Sequence, residues 1–293
     1  MGTMSSLAFS FILFSAFMHA LWNLLVKRSR DKTAFIWWMF FCSGGLFTIL
    51  LPGVPGAFPA PDVRIVLLSI AGAVCFVGYH LFTGRSYRHG DLSITYPLAQ
   101  TAMLYVPVWG VLLLGESLSP LGIAGILLVL CGAYCIQLRQ MTFGEVLRPF
   151  RNLGDPSVQA ALAAGFIYSV GAVIDKTGVS AYHPLYFTYL LVGWMFLFMS
   201  ANLLRPGQNG RIAEEWRHSR GLILLSGPVM LGSFLSFRYG LDLAPMSYAV
   251  PVRQVSLLIA VLIGVLFLGE KAGRIRFAAA SLILVGVLMV RAG

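Results

Sequence analysis

The strongest constraint in this sequence is a pattern that occurs twice, with 154 residues between equivalent positions. Aligned without a gap, residues 93–133 and 247–287 are identical at 14 of 41 positions. The period is much longer than the roughly 20–45 residues of a solenoid repeat, so the chain consists of two related halves. The identical positions include Ser93 and Ser247, Pro97 and Pro251, Gln100 and Gln254, Gly110 and Gly264, Gly132 and Gly286, and the Leu-Gly-Glu triplets at 114–116 and 268–270.

Both halves are too apolar for a water-soluble domain. Of the 293 residues, 58% are hydrophobic and only 11% are charged, and the mean hydropathy is +0.82. Ten segments contain at most one charged residue, and at about 1.5 Å per residue most of them can cross an apolar layer of about 30 Å. The sequence therefore predicts an all-α membrane protein with ten transmembrane helices. The segments are Ser5–Val26, Thr33–Leu51, Ile65–Gly84, Leu92–Gly115, Ser117–Leu138, Val158–Ile174, Pro184–Leu204, Gly221–Phe237, Met246–Gly269 and Phe277–Val290.

An odd number of helices in each half has a geometric consequence. Five crossings reverse the direction of the chain, so the second half must lie upside down relative to the first. The sequence thus predicts two inverted five-helix repeats, residues 1–138 and 158–293, joined by a connecting loop at 139–157. Many secondary transporters are built in this way, with their binding site near the midplane between the repeats.

The net charge of +10 is an orientation signal and does not indicate a nucleic-acid partner. Of the 21 Lys and Arg residues, 16 lie in the first, third, fifth, seventh and ninth connections between the predicted helices. Positive charge gathers on the cytoplasmic side of a membrane, which would place these connections in the cytoplasm and both termini outside. The four cysteines lie inside predicted helices, and Cys131 and Cys135 share a helix face without nearby acids or imidazoles. We therefore interpret the cysteines as packing residues and predict no metal site.

Arg253 is the first candidate for chemistry, because it lies inside a predicted membrane helix. An arginine at the centre of such a helix costs about 2.5–3.5 kcal/mol on insertion scales. It follows Pro251, which frees a backbone carbonyl one turn earlier, and it precedes the amide of Gln254. We expect Arg253 and Gln254 to bind a carboxylate or phosphonate of the substrate. The alternatives are an arginine that snorkels to the interface or pairs with Asp242.

The first predicted helix carries a polar stripe, because Ser15, His19, Asn23 and Lys27 recur every four residues. Residues with this spacing share one face of a helix, and Trp22 lies beside that face. In lipid such a face turns toward a cavity or toward another helix. We expect His19 and Trp22 to contact the substrate, with interhelical hydrogen bonding as the alternative.

Other polar and aromatic residues on neighbouring helices are expected around the same cavity. No acid lies in the middle of a predicted span, and Asp175 directly follows the end of one. A proton carrier, if transport uses one, would therefore be His19, His80 or Asp175. Asp175 can alternatively pair with Lys176 or Arg253. The remaining expected substrate contacts are Tyr79, His80, Tyr96, Gln100, Tyr168 and Tyr239.

The two Leu-Gly-Glu triplets follow the fourth and ninth predicted helices. Glycine ends a helix readily, and a glutamate near the start of the next helix favours its positive end. We interpret both triplets as structural turns, in preference to gates.

Several function classes lack their residues in this sequence. No phosphate-binding loop is present, which argues against ATP-driven pumping by this chain. Paired carboxylates, zinc-ligand spacing and a nucleophile elbow are also missing, so neither an enzyme nor a cofactor is predicted.

The two five-helix halves with Pro97…Leu-Gly-Glu116 and Pro251…Leu-Gly-Glu270 resemble the EamA-type transporters of the drug/metabolite transporter superfamily. The resemblance spans the whole chain and implies a multi-pass protein of the bacterial inner membrane. It implies a carrier of small metabolites, often amino-acid-like, with a central cavity between the halves. Some relatives are associated with phosphonate use, which suits Arg253. The family is described with both termini in the cytoplasm, opposite to the charge count, so the orientation stays open.

The leading hypothesis is therefore a secondary transporter, a monomer or homodimer in the lipid bilayer, for a small anionic or zwitterionic metabolite. Two alternatives stay open. One is a membrane-embedded lipid-handling protein, either a flippase or an enzyme, and the other is a membrane partner protein that transports nothing.

Overall fold

The computed structural model describes residues 4–55, 58–89, 95, 98–136, 138, 140, 142–151, 153–205, 209–268 and 273–293. These residues form α-helices and one 3₁₀ turn at Leu51–Gly53, and none of them lies in a strand. The helices are α1 Ser6–Arg28, α2 Lys32–Leu50, α3 Val63–His89, α4 Ala102–Leu114, α5 Pro120–Cys135, α6 Phe143–Arg151, α7 Pro156–Ala181, α8 Pro184–Leu203, α9 Asn209–Asp242, α10 Met246–Arg253, α11 Val255–Leu268 and α12 Arg274–Ala292.

Short polar side chains begin many of these helices. Ser5 accepts a hydrogen bond from the Ala8 amide at the start of α1, and Asp31 accepts from two amides at the start of α2. Ser119 and Asp155 cap α5 and α7, each directly before a proline. Such caps satisfy amides that have no partner within the helix, and proline suits the first helical position.

Most of the helices are suited to a membrane. By length and composition, eight helical segments in the described ranges can cross one, and one of these consists of α10 with most of α11. Helices α4 and α5 are shorter apolar helices. The all-α class expected from the sequence is therefore confirmed. The spanning segments are Ser6–Arg28, Lys32–Gly53, Val63–Tyr87, Pro156–Ala181, Pro184–Ala201, Gly210–Asp242, Met246–Ile263 and Arg274–Ala292.

The most extensive helix contacts join one half of the chain to the other. Helix α3 packs along α7, and α1 packs along α9. Helices α5 and α12 also pack together over most of their length. The core therefore lies between the halves, where it includes Phe35, Phe40, Phe187 and Tyr248.

Glycine allows the backbones of α5 and α12 to approach closely at two places. A Cβ atom on Gly125 would lie 2.6 Å from the carbonyl oxygen of Gly286, and one on Gly132 would lie 2.6 Å from that of Ala279. In the 154-residue alignment, Gly125 corresponds to Ala279 and Gly132 to Gly286. The two contacts are thus each other's counterparts in the repeat. Along the interface the residue number rises in α5 as it falls by the same amount in α12, as in an antiparallel pair of helices.

Equivalent glutamines interrupt the helical hydrogen bonding in both halves. Helix α10 ends at Arg253 and α11 begins at Val255, and the Leu257 amide donates to the Gln254 carbonyl at 2.9 Å. In the first half the Met103 amide donates to the Gln100 carbonyl at 3.1 Å. Both bonds span three residues where an α-helix would span four. Irregular backbone at membrane depth is tolerated where it is enclosed by protein or lines a cavity.

The close approach of α5 and α12 makes a stability prediction. Gly125→Ala should destabilise the protein by about 1–3 kcal/mol, because its methyl group would overlap the backbone of α12. Gly45→Ala is the matched control, since nothing lies within 4 Å of a Cβ atom there. Alanine should gain up to about 1 kcal/mol from helix propensity at that site. Thermal unfolding of the purified proteins in detergent measures both, and equal melting temperatures would refute the contact.

Candidate functional site

A cavity of about 1010 Å³ lies between the two halves. It extends from the break between α10 and α11 to the connection between α1 and α2, where the lining residues include the exposed Asn23 and Arg30. We call the end with residues 27–32 and 209–220 the basic face. The opposite end, with residues 115–119, 182–183 and 243–245, is called the terminal face. The inner part is lined by His19, Trp22, Phe76, Tyr79, His80, Gln100, Tyr168, Asp175, Phe234, Phe237, Arg238, Arg253 and Gln254.

Arg253 is the last residue of α10, so the helix break places its guanidinium at the inner end of the cavity. Its Nη2 atom lies 3.2 Å from Ser233 Oγ and 3.3 Å from His19 Nδ1. The guanidinium also stacks over the ring of Phe237, with its carbon 4.2 Å from the ring centre. The buried Nε atom has no hydrogen-bond partner among the described residues. The hydrogen-bonding capacity of this half-buried cation is thus only partly used by the protein.

His19 and Trp22 are joined to each other as well as to this site. The Trp22 indole nitrogen donates to His19 Nδ1 at 2.6 Å, across one turn of α1. The edge of the Trp22 ring meets His80 of α3, with ring centres 6.0 Å apart. Nearby, the rings of Tyr79 and Tyr168 lie 5.3 Å apart. Expected site residues from α1, α3 and α7 therefore form one aromatic wall.

The repeated glutamines meet across the boundary between the halves. Gln254 Nε2 donates to Gln100 Oε1 at 3.3 Å, and both side chains line the cavity. The two residues are equivalent in the repeat, so each half contributes the same side chain to this contact. The neighbouring pair is unequal, since Arg253 corresponds to Ala99. The charge at this site therefore belongs to the second half alone.

Asp175 has a different partner from the two expected for it. Its Oδ1 atom accepts from Arg238 Nε at 2.8 Å, and both side chains are almost fully buried, at 2% and 3% exposure. Lys176 points away and donates to the carbonyls of Leu241 and Ala244. Arg238 lies four residues before the end of α9, so its side chain reaches the same depth as Asp175 of α7. A buried carboxylate requires such a partner.

One other expected contact, Tyr239, is not brought to the cavity. Tyr239 lies on the far side of α9, where its ring packs against Phe11 and His183 at 5.6 and 5.8 Å. Two residues along a helix turn a side chain by about 200°, so Tyr239 and the cavity-lining Phe237 face opposite ways. Tyr96 lies outside the described residues, as does most of the second Leu-Gly-Glu triplet.

The first Leu-Gly-Glu triplet closes the terminal face between the halves. Gly115 ends α4 with a φ of +66°, a left-handed conformation that suits glycine. The Glu116 carboxylate then accepts from the amides of Met246 and Ser247, at 2.5 and 2.9 Å. A carboxylate at the first turn of a helix is stabilised by the helix dipole. The expected structural turn therefore also holds α4 to the start of α10.

Ion pairs surround the cavity entrance on the basic face. Arg211 donates through Nε and Nη2 to the two carboxylate oxygens of Asp31, at 2.5 and 2.9 Å. Partial burial opposes ionisation of Asp31, but the Arg211 hydrogen bond and the amides of α2 outweigh it and lower the pKa of this carboxyl. Glu215 accepts from the backbone amides of Arg30 and Asp31. The start of α9 is thereby attached to the α1–α2 connection.

Sequence reasoning missed Arg238, Ser233 and Phe237, the α9 residues that contact Asp175 or Arg253. Arg238 directly follows an apolar run, which makes it look like the end of a span. The available signal was its distance from Asp242. If the helix continues to Asp242, four residues follow Arg238, and Arg238 then lies a full turn inside the helix. Contacts such as Ser233 with Arg253 depend on tertiary packing and leave no local pattern.

The model of the EamA-like transporter family matches residues 6–138 and also residues 156–292. The chain belongs to the EamA-like transporter family. The resemblance inferred from the sequence is thus confirmed, and with the apolar helices it makes this EamA-like protein a multi-pass membrane protein of the transporter type.

The fold is shared with a protein of known structure. One crystal structure, named only as that of a protein, is similar over 97% of this chain and 96% of its own chain. The TM-score is 0.70 and the sequence identity is 19%, so the likeness concerns the fold alone. No curated protein matches the sequence of this EamA-like protein.

The cavity makes a prediction about access to water. In a cysteine-free background, Asn23→Cys and Gln100→Cys should react with a membrane-impermeant thiol reagent, because both positions line the cavity. Leu112→Cys should stay unmodified in a bilayer, since Leu112 is 69% exposed on an apolar surface. Mass spectrometry after timed labelling measures the three rates. Equal protection of all three positions would contradict a water-filled cavity.

Proposed function

We propose that this EamA-like protein is a secondary transporter for a small anionic or zwitterionic metabolite, such as an amino acid, an organic acid or a phosphonate. The observation that carries the proposal is Arg253, a half-buried cation that lines the cavity, whose enclosed Nε atom has no hydrogen-bond partner among the described residues. Asp175, the acid that lines the inner part of the cavity, already pairs with Arg238. The inner cavity thus has one positive charge in excess, and an anionic group of the substrate neutralises it.

The proposed architecture consists of ten transmembrane helices in two inverted repeats, residues 1–138 and 158–293, with a connecting loop at 139–157. Three observations support it. The α5–α12 contacts are reciprocal in the 154-residue alignment, as expected of two units related by a two-fold axis. Each half also breaks a helix at its equivalent glutamine, and the two glutamines meet. A two-fold axis that relates two antiparallel helices is perpendicular to them, so for helices that cross a membrane it lies in the membrane plane.

The proposed mechanism is alternating access to Arg253. The cavity extends to the basic face, whereas the terminal face is closed by the contact of Glu116 with α10. Transport then requires the halves to move so that the Glu116 contacts open and the basic-face ion pairs draw together. The substrate binds between the halves in both states. We place the protein in the bacterial inner membrane and propose that it acts as a carrier and not as an enzyme.

The substrate class is tested with solutes that share one skeleton and differ in charge. The series is phenylacetate, benzylphosphonate, phenylalanine, phenylacetamide and phenethylamine, whose ring can pack on the aromatic wall. Ligands that bind only the folded state raise the melting temperature of purified protein. We expect stabilisation by the two anions and the zwitterion and none by the amide or amine. Stabilisation by the amine alone would overturn the anionic substrate class.

Transport itself is measured in proteoliposomes with the labelled member that stabilises most. Uptake of the labelled solute into proteoliposomes in exchange for an internal pool of the same unlabelled solute supports a carrier. If no member of the series crosses while fluorescent phospholipids are exchanged between leaflets, the protein handles lipids and the transporter proposal fails.

The binding geometry predicts that Arg253→Lys loses transport roughly 10- to 100-fold. A guanidinium can hold an anion with directed hydrogen bonds that a compact ammonium does not reproduce, and bonds to charged groups are worth about 1.5–3 kcal/mol. Arg291→Lys, the same change at the exposed end of α12, is the control and should transport like the parent. Melting temperatures within a few degrees of the parent exclude misfolding. Normal transport by Arg253→Lys would show that the residue is structural.

A further inference from the structure

Two hydrogen-bond donors converge on a single nitrogen of His19. The Trp22 indole N–H points at Nδ1 from 2.6 Å, and Arg253 Nη2 lies 3.3 Å from the same atom. Neither donor group can act as an acceptor, because an indole nitrogen and a guanidinium only donate. Nδ1 of His19 must therefore be the acceptor for both.

This arrangement fixes the protonation state of the imidazole. An imidazole nitrogen that accepts a hydrogen bond carries no proton, so the proton of neutral His19 is on Nε2. A second proton would place an N–H group on Nδ1, directed at two other N–H groups. It would also place a second positive charge beside the guanidinium, which disfavours ionisation.

The other groups around His19 give it no compensating negative charge. Helix α3 contributes His80 and Tyr79, α7 contributes Tyr168, and α9 contributes Ser233, which also contacts Arg253. Asp175 and Arg238 are nearby in the cavity wall but are paired with each other. In the described part of the chain, no carboxylate forms an ion pair with His19.

We propose that His19 is a permanently neutral positioning residue, which holds Arg253 through Nη2 and so fixes the orientation of the cavity-lining guanidinium for the anionic group of the ligand. Trp22 is the second part of this device, because its N–H fixes the orientation of the imidazole. His19 is therefore not the proton carrier for transport, although its position in a span made it a candidate. The inference rests on the proposed function for its transport arm, but the state of His19 can be measured without a substrate.

The first experiment determines the protonation state directly. Protein with ¹⁵N-labelled histidine in lipid nanodiscs should show one imidazole with bare Nδ1 and protonated Nε2 from about pH 5 to about pH 8, the range in which ordinary histidines titrate. The chain has five histidines, so the His19 signals are assigned as those missing from His19→Asn. Titration of these signals in that range, or a proton on Nδ1, would overturn the proposal.

The second experiment separates positioning from proton transfer. In His19→Asn, the side-chain oxygen takes the place of Nδ1 as an acceptor but cannot titrate. In His19→Phe, an aromatic ring remains at this position but the acceptor is removed. We expect His19→Phe to lose roughly 10- to 100-fold in transport, the cost of a hydrogen bond to a charged group. His19→Asn should recover part of this loss and keep the parent's dependence of rate on pH. His218→Asn, an exposed histidine on the basic face, is the control.

The outcomes distinguish the two proposals. A flattened pH profile in His19→Asn, with ligand binding intact by melting temperature, would identify His19 as the proton carrier and refute its positioning role. Equal loss in His19→Asn and His19→Phe would refute the acceptor role. If the parent carries no solute of the series, the proposed function fails, and the NMR measurement still decides the state of His19.

Discussion

The guanidinium of Arg253 is the group on which the rest of the site depends. A cation inside an apolar protein is strongly unfavourable unless nearby groups replace its water. Here the replacement is partial: Ser233 and His19 accept from Nη2, and the Phe237 ring covers one face of the plane. Arg253 is the last residue of α10, directly before the helix break at Gln254, and its side chain lines the cavity. The incomplete replacement of its water is an energetic reason for the cavity to contain an anionic ligand.

Some contacts between the halves are reciprocal, but the chemistry of the site is not. The glycine contacts of α5 and α12 and the meeting of Gln100 with Gln254 treat both halves alike. Arg253, in contrast, corresponds to Ala99, so the charge occurs in one half only. A duplicated cation would place two like charges within one cavity, and their repulsion would have to be compensated. The difference at this one position thus gives the cavity a single cationic site, although each half has an equivalent position in the sequence.

Much of the fold was predictable, because the bilayer imposes a simple rule on composition. Apolar runs are local features, and most of the predicted spans coincide at least in part with helices. Helix caps such as Ser5 and Asp155 are local features as well. The placement of Arg253, His19 and Tyr168 near one another also followed from polar residues that avoid lipid. The partner of Asp175 and the orientation of Tyr239 did not follow. Both depend on how α7 and α9 are rotated about their axes, and that rotation is set by contacts with residues far away in the sequence.

The pairing of α1 with α9, α3 with α7 and α5 with α12 has a consequence for assembly of the chain. Each half makes its principal contacts with the other half, so the first half has no complete packing surface of its own when it leaves the ribosome. In water such a fragment would aggregate. Lipid tails, however, are as apolar as the missing partners, so the membrane can hold the first half as an open set of helices until the second half arrives. The bilayer therefore acts as a temporary partner during synthesis, and Arg253, which lies in the second half, enters after His19 and Gln100 of the first.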